Sequence, residues 1–340
     1  VPPFAASRLL TAWELSPGGL LAVAVVGGAY LGWVHRARRD GHAWSRWRTA
    51  LFLVLGVGTL AYAVCGPLAV YRDTVFWVGA LQVGVLASLT PVGLALGDPV
   101  RLLRTLHPAG RHPLLGLLST RLARLLMFPA VGTALAVGTL IAVFWTPAFA
   151  ASTRSPVAEA LLDVALVVTG LLFVLPLMVD GLLPRWATPA VRTALAFVDG
   201  LADAIPGILL MTASGLVAPS FPGWTHLTAA GVGAVSGLAP DLDQRLGGGA
   251  LLAVAEAVGL PVIAAVFVEW VRSDDREAAA TDRALDAADH PARVRSAGPA
   301  TGPGAGAAPE PAADPDDPVA APALWWESDP RLQGRFRPRA

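Results

Sequence analysis

The chain has 340 residues, 54% hydrophobic and only 15% charged, with a mean hydropathy of +0.58, a combination that excludes an ordinary soluble domain with a solvated surface. Its formal net charge of +0 provides no overall attraction to nucleic acid, and its single cysteine, Cys65, allows no internal disulfide framework. A helix needs roughly 20 mostly apolar residues to cross about 30 Å of hydrocarbon. Seven runs meet that condition: Pro17 to Val34, Arg48 to Val70, Thr74 to Leu96, Arg124 to Trp145, Val157 to Val179, Ala190 to Val217 and Gly247 to Val271. The predicted fold is all-α, a polytopic bundle of seven transmembrane helices over 17–271.

Arginines predict the orientation, because basic loops stay on the cytoplasmic side. Arg36, Arg38, Arg39, Arg46 and Arg48 follow the first run, Arg101, Arg104, Arg111 and Arg121 the third, and Arg185 and Arg192 the fifth. The intervening loops hold only Arg72, Arg154 and Arg245. All three loop pairs place the N-terminus outside and the C-terminus inside. Residues 1–16 are then an extracytoplasmic N-terminus, and the arginine cluster after the first run, in place of a small-residue cleavage site, argues against a cleavable signal.

Beyond Val271 the character changes twice. Residues 272–290 are charged and Ala-rich and are predicted to extend the last helix into the cytoplasm. Residues 291–340 are rich in Ala, Pro, Gly and Asp, a composition predicted to be disordered, and end near the tryptophan pair Trp325-Trp326. That pair reads equally as a docking motif, an interfacial anchor or a tail of no specific role. Gly302, Gly304 and Gly306 have no strand before them or helix after them, which rules out a phosphate loop. No internal repeat is visible. Gly28 and Gly32 form a small-xxx-small pair, expected to pack against another helix of the same bundle.

Ionisable groups at membrane depth are costly and mark polar interiors. Asp163 lies in the fifth run, Asp199 and Asp203 share a face of the sixth, and Glu256 lies in the seventh. Together they are expected to form a polar core; whether it ties helices together or handles a proton or cation stays open. No metal site is expected: none of the six histidines lies in a run, and Cys65, Met211 and the loop residue His226 are weak soft or imidazole candidates. No nucleophile stands with a base in a recognisable pattern, so no enzyme activity is expected.

Several segments resemble the CtaG-type cytochrome c oxidase assembly factors, seven-helix proteins associated with caa-type oxidases. The similar segments are Leu96-Gly97-Asp98-Pro99, Phe144-Trp145-Thr146-Pro147-Ala148, Thr169-Gly170-Leu171-Leu172-Phe173, Pro206-Gly207-Ile208-Leu209-Leu210-Met211, Asp243-Gln244-Arg245-Leu246-Gly247-Gly248 with Glu256, and the terminal Trp325-Trp326-Glu327-Ser328-Asp329-Pro330. Gln82, Asp243, Gln244, Gly248 and Glu256 are the motif residues that the resemblance brings forward. It also exposes a departure. Setting Gln82 on the glutamine of the family's third-span His-x-x-Gln-His-like motif puts Gly79 and Val83 where histidines are expected, and similar registration puts Asp163 and Asp203 at histidine positions.

The resemblance implies an assembly or maturation factor in a bacterial plasma membrane, with cytochrome c oxidase subunits or other assembly factors as partners besides the lipid bilayer, and no nucleic acid. It implies no resident cofactor here, copper being the metal weighed. Two alternatives stay open, a transporter of copper or another small cation and a degenerate scaffold. An enclosed water path lined by carboxyls favours the first, and a closed bundle the second.

Overall fold

A computed structural model describes residues 7–108, 110, 112–178, 189–224 and 238–296. His226, Arg185 and the segments holding Gly302 to Gly306 and Trp325-Trp326 lie outside them, as does the side chain of Asp199. The chain divides into two units, Val1–Ala279 and Ala280–Ala340, the second described only through its helical start.

Among the described residues all regular structure is helical. A short turn, Arg8–Thr11, precedes α1 (Pro17–Arg39). Helix α2 (46–64) passes through a π-helical turn at Phe52–Val57 and is followed by α3 (Pro67–Tyr71). Helix α4 (76–96) has a π-helical turn at Val85–Leu89 and leads into α5 (Pro99–Leu106). Two short helices, α6 (Pro113–Leu118) and α7 (Arg121–Leu126), precede α8 (Pro129–Trp145) and α9 (Ala148–Ser152). Helices α10 (Pro156–Met178), α11 (Pro189–Thr212) and α12 (Pro240–Ser296) complete the set.

Among the described residues four helices are long and apolar enough to cross a membrane, Pro17–Arg39, Arg46–Tyr71, Phe76–Leu106 and Pro156–Met178, with shorter apolar helices at Ala130–Trp145 and Gly200–Thr212. Helix α4 is the central post, buried along most of its length, whereas α1 and α10 turn large apolar residues outward, among them Leu21, Val25, Leu161 and Val164. The π-helical turn in α4 ends next to Pro91, which has no N–H to offer the carbonyl four residues back. Wider local winding is one way a helix absorbs that lost bond.

Three expectations need correction. The fourth helix starts at Pro129 and not Arg124, because Phe128 before the proline is extended and breaks the run; its 17 residues span about 26 Å at 1.5 Å per residue. The sixth run ends at Thr212, five residues before Val217, and the rest is a non-helical turn. Gly28 and Gly32 are exposed with nothing close by, and it is the neighbouring Gly27 that faces Val57 of α2.

One end of the bundle is closed at Leu96-Gly97-Asp98-Pro99. Asp98 takes a left-handed conformation (φ 51°), caps α5 by accepting from the Arg101 N–H, and pairs with Arg48 at 2.6 Å. The Tyr30 hydroxyl donates to the Gly97 carbonyl at 2.8 Å while its ring stacks on Phe52. This resemblance segment is thus a corner joining α1, α2 and α5.

Candidate functional site

At the opposite end of α4 the motif residues converge. Helix α4 starts after Val75, whose side chain has no oxygen to cap it, so its first N–H groups need an acceptor from elsewhere. Asp243, in the first turn of α12, supplies it: Oδ2 accepts from the Phe76 N–H at 3.0 Å and Oδ1 from the Trp77 N–H at 3.0 Å. Oδ2 also accepts from the Trp224 indole N–H at 3.1 Å. One buried carboxyl thereby serves the N-terminal ends of two helices, where negative charge is favoured. Burial pushes this carboxyl up from its ordinary value, and the three donors pull against that.

Gln244, the next residue, is equally buried. Its Oε1 accepts from the Val217 N–H at 2.7 Å and its Nε2 donates to the Gly215 carbonyl at 3.1 Å, which holds the non-helical turn after α11. Gly248 faces Gly207 of α11 so closely that a Cβ there would lie 2.6 Å from the Gly207 carbonyl oxygen. Gln82, buried in α4, donates from Nε2 to the Ala63 carbonyl of α2 at 2.8 Å. Gln82, Asp243 and Gly248 thus bring helices together, and Gln244 fixes the turn after α11 to α12.

Around Asp243 lies a cluster of buried aromatic rings: Phe76, Phe144, Phe149, Phe221 and Trp224, with neighbouring centroids 4.8 to 5.8 Å apart. It fills the place that the resemblance reserves for imidazole. A Cβ on Gly79 would lie 2.6 Å from Cζ of Phe149, and Val83 is packed in the apolar core. A histidine at 79 would have to displace the Phe149 ring. Glycine and valine offer a metal no side-chain donor, so the residues at these positions do not fit copper. Cys65 is buried against α1, Met211 is partly exposed, and among the described residues no three His, Cys, Asp or Glu side chains gather where they could hold a metal.

A second polar cluster centres on Arg72, in sequence one of the arginines of the sparse loops. Its side chain is 2% exposed. Nη1 lies 2.9 Å from Glu159 and 3.9 Å from Asp163, and Nε lies 3.5 Å from Asp73. Nη2 donates to the Ser152 hydroxyl at 2.6 Å, and that hydroxyl donates to the Phe149 carbonyl, joining the cluster to the aromatic rings. Glu159 and Asp163 are four apart on α10, so one helix face presents both. Burial pushes the half-exposed Asp73 carboxyl up to about 6, with Arg72 opposing the rise and Glu159 and Glu14 adding to it.

Of the four carboxyls expected to form a polar core, the three with described side chains lie in different surroundings. Asp163 belongs to the Arg72 cluster. Asp203 lines an internal cavity of about 40 Å³ with Ser88, Thr169 and mostly apolar neighbours. Glu256 is exposed on α12, and the side chain of Asp199 lies outside the described residues.

The chain is similar to three mycobacterial proteins: uncharacterized protein Mb0105 of Mycobacterium bovis and MT0111 of Mycobacterium tuberculosis, each 29% identical over 293 residues, and ML1998 of Mycobacterium leprae, 26% identical over 287 residues. These matches take in 84%, 84% and 82% of this chain but 43%, 43% and 42% of the relatives, so the chain spans less than half of their length. No solved structure matches. The family model described as cytochrome c oxidase caa3 assembly factor matches residues 28–273, which takes in the Asp98 corner, the Arg72 cluster and the Asp243 motif. The chain belongs to the cytochrome c oxidase caa3 assembly factor (Caa3_CtaG) family.

Proposed function

We propose that this chain is a membrane-embedded assembly or maturation factor that holds cytochrome c oxidase subunits, or other assembly factors, without itself catalysing a reaction. The observation that carries this reading is what the motif residues do: Gln82 and Asp243 spend their polar groups on joining helices, Gln244 spends its own on the turn after α11, and Gly248 permits a close helix contact. Transport of copper or another cation is the second reading, and Asp203 is its natural focus. The cavity that Asp203 lines, at about 40 Å³, has room for a few water molecules, which favours a scaffold over a conducting path.

In this proposal the bundle has seven spans in a bacterial plasma membrane, N-terminus outside and C-terminus inside, supported by the arginine asymmetry of the loops. A reporter active only outside the cytoplasm should stay silent when fused after Ala340; activity there overturns the orientation. For function, the tagged full chain, purified from membranes of a host with a caa-type oxidase, should carry oxidase subunits with it. Removing the chain should lower the amount of assembled oxidase. Normal oxidase assembly without it, in a host with no second family member, overturns the assembly role.

A further inference from the structure

Between the ends of α5 and α8 the chain makes a detour through two short helices whose character fits neither water nor hydrocarbon alone. Residues 99–128 contain five arginines, two histidines and no acidic residue. Leu114, Leu117, Leu122 and Leu125 of α6 and α7 are 44% to 64% exposed. A hairpin with outward leucines and arginines, joined at both ends to apolar helices, suits the boundary where headgroups meet acyl chains.

Residues of α5, α6 and α7 also line an open pocket of about 750 Å³. Arg104 and Arg124, from different helices, line it together with His107, Ser119, Leu115 and Met127. The Nδ1 atom of His107 is buried there without a hydrogen-bond partner. Arg104 and Arg124 bring two positive charges from separate helices to one pocket, guanidinium groups are suited to phosphate oxygens, and basic pockets beside membrane helices are suited to anionic headgroups.

We propose that this pocket binds the phosphate headgroup of an anionic membrane phospholipid, whose acyl chains lie along the exposed leucines of α6 and α7. Those leucines are the reason for assigning the phosphate to a lipid, since a free anion makes no use of them. The site rests on the reading that the chain spans a membrane, and it requires nothing of the oxidase role.

The test uses the full chain purified in a neutral detergent, with phosphatidylglycerol and phosphatidylcholine of matched chains as probes, and bound lipid counted by native mass spectrometry. Phosphatidylglycerol should be retained in preference. Arg104→Gln with Arg124→Gln should weaken its binding about tenfold or more while leaving phosphatidylcholine unchanged. The charge-matched pair Arg101→Gln with Arg121→Gln, which removes two arginines that do not line the pocket, should stay within about twofold of the wild type.

Equal loss in both pairs would mean bulk charge and overturn the site, as would equal retention of the two lipids. Inorganic phosphate displacing phosphatidylglycerol at equal concentration would make it a free-anion site and overturn the lipid assignment. Carbonate extraction of membranes separates the two layers of the argument. A chain that stays in the membrane yet shows no lipid preference refutes the pocket alone, whereas a chain released by carbonate refutes the membrane reading.

Discussion

Asp243→Ala should destabilise the protein by about 3 kcal/mol or more, the largest single effect expected from the motif residues. The change leaves the Phe76 and Trp77 N–H groups and the Trp224 indole N–H without their acceptor in a buried setting. Each such orphaned donor costs about 1–3 kcal/mol unless water reaches it. Asp243→Asn should fall between Ala and the wild type. With its oxygen placed at Oδ2 it still accepts from Phe76 and Trp224, while its NH₂ meets the Trp77 N–H head on. Thermal unfolding of the detergent-purified variants checks the order wild type, Asn, Ala. An Ala variant as stable as the wild type would show that the ends of α4 and α12 do not depend on this carboxyl.

Arg72→Met should be nearly as damaging at neutral pH, about 3 kcal/mol, because it removes the cation that pairs with Asp73, Glu159 and Asp163. Glu159 and Asp73 are 35% and 49% exposed and regain some hydration, so the effect should stay at the lower end of what breaking a buried pair costs. Two features distinguish charge from packing. Asp163→Asn in the Arg72→Met background should recover part of the loss, since it removes one of the stranded charges. The loss should also shrink between pH 8 and pH 5. Asp73 is held near 6 even with Arg72 opposing the rise, so without Arg72 it takes up a proton no later than that as pH falls, and a neutral carboxyl needs no cation. The sign follows from its raised value: in the folded state its proton is stabilising below the unfolded value of about 3.8 and that contribution disappears as pH rises through about 6. A pH-independent loss without rescue by Asp163→Asn would reassign Arg72 to a packing role.

Much of the architecture was legible in the hydrophobic runs, because a helix in hydrocarbon must satisfy its own backbone, and long apolar stretches have few other solutions. Gln82, Asp243, Gln244 and Gly248 were legible through resemblance, although their work was not. A carboxyl in a sequence does not announce whether it will bind an ion or cap a helix 166 residues away. As a centre Arg72 was not legible, since in the sequence it is one of the few arginines in the sparse loops. The available signal was the Glu159 and Asp163 pair on one face of α10, which needed a buried partner.

The polar-core expectation shows where pattern ran out. Helical spacing told which carboxyls share a face of one helix, but the rotation of each helix against its neighbours placed Asp163 beside Arg72, Asp203 on a small cavity and Glu256 on the exterior. The sequence by itself determined the helical class and the alternation of arginine-rich and arginine-poor loops, since these depend on composition and local period, while the departure at Gly79 and Val83 is what the resemblance implies. Only the tertiary structure decided that the Phe149 ring fills the space beside Gly79, that Asp243 caps α4, and that Arg104 and Arg124 line one pocket. Those are contacts between segments far apart in the chain, and the local period of a helix carries no information about which distant side chain will meet it.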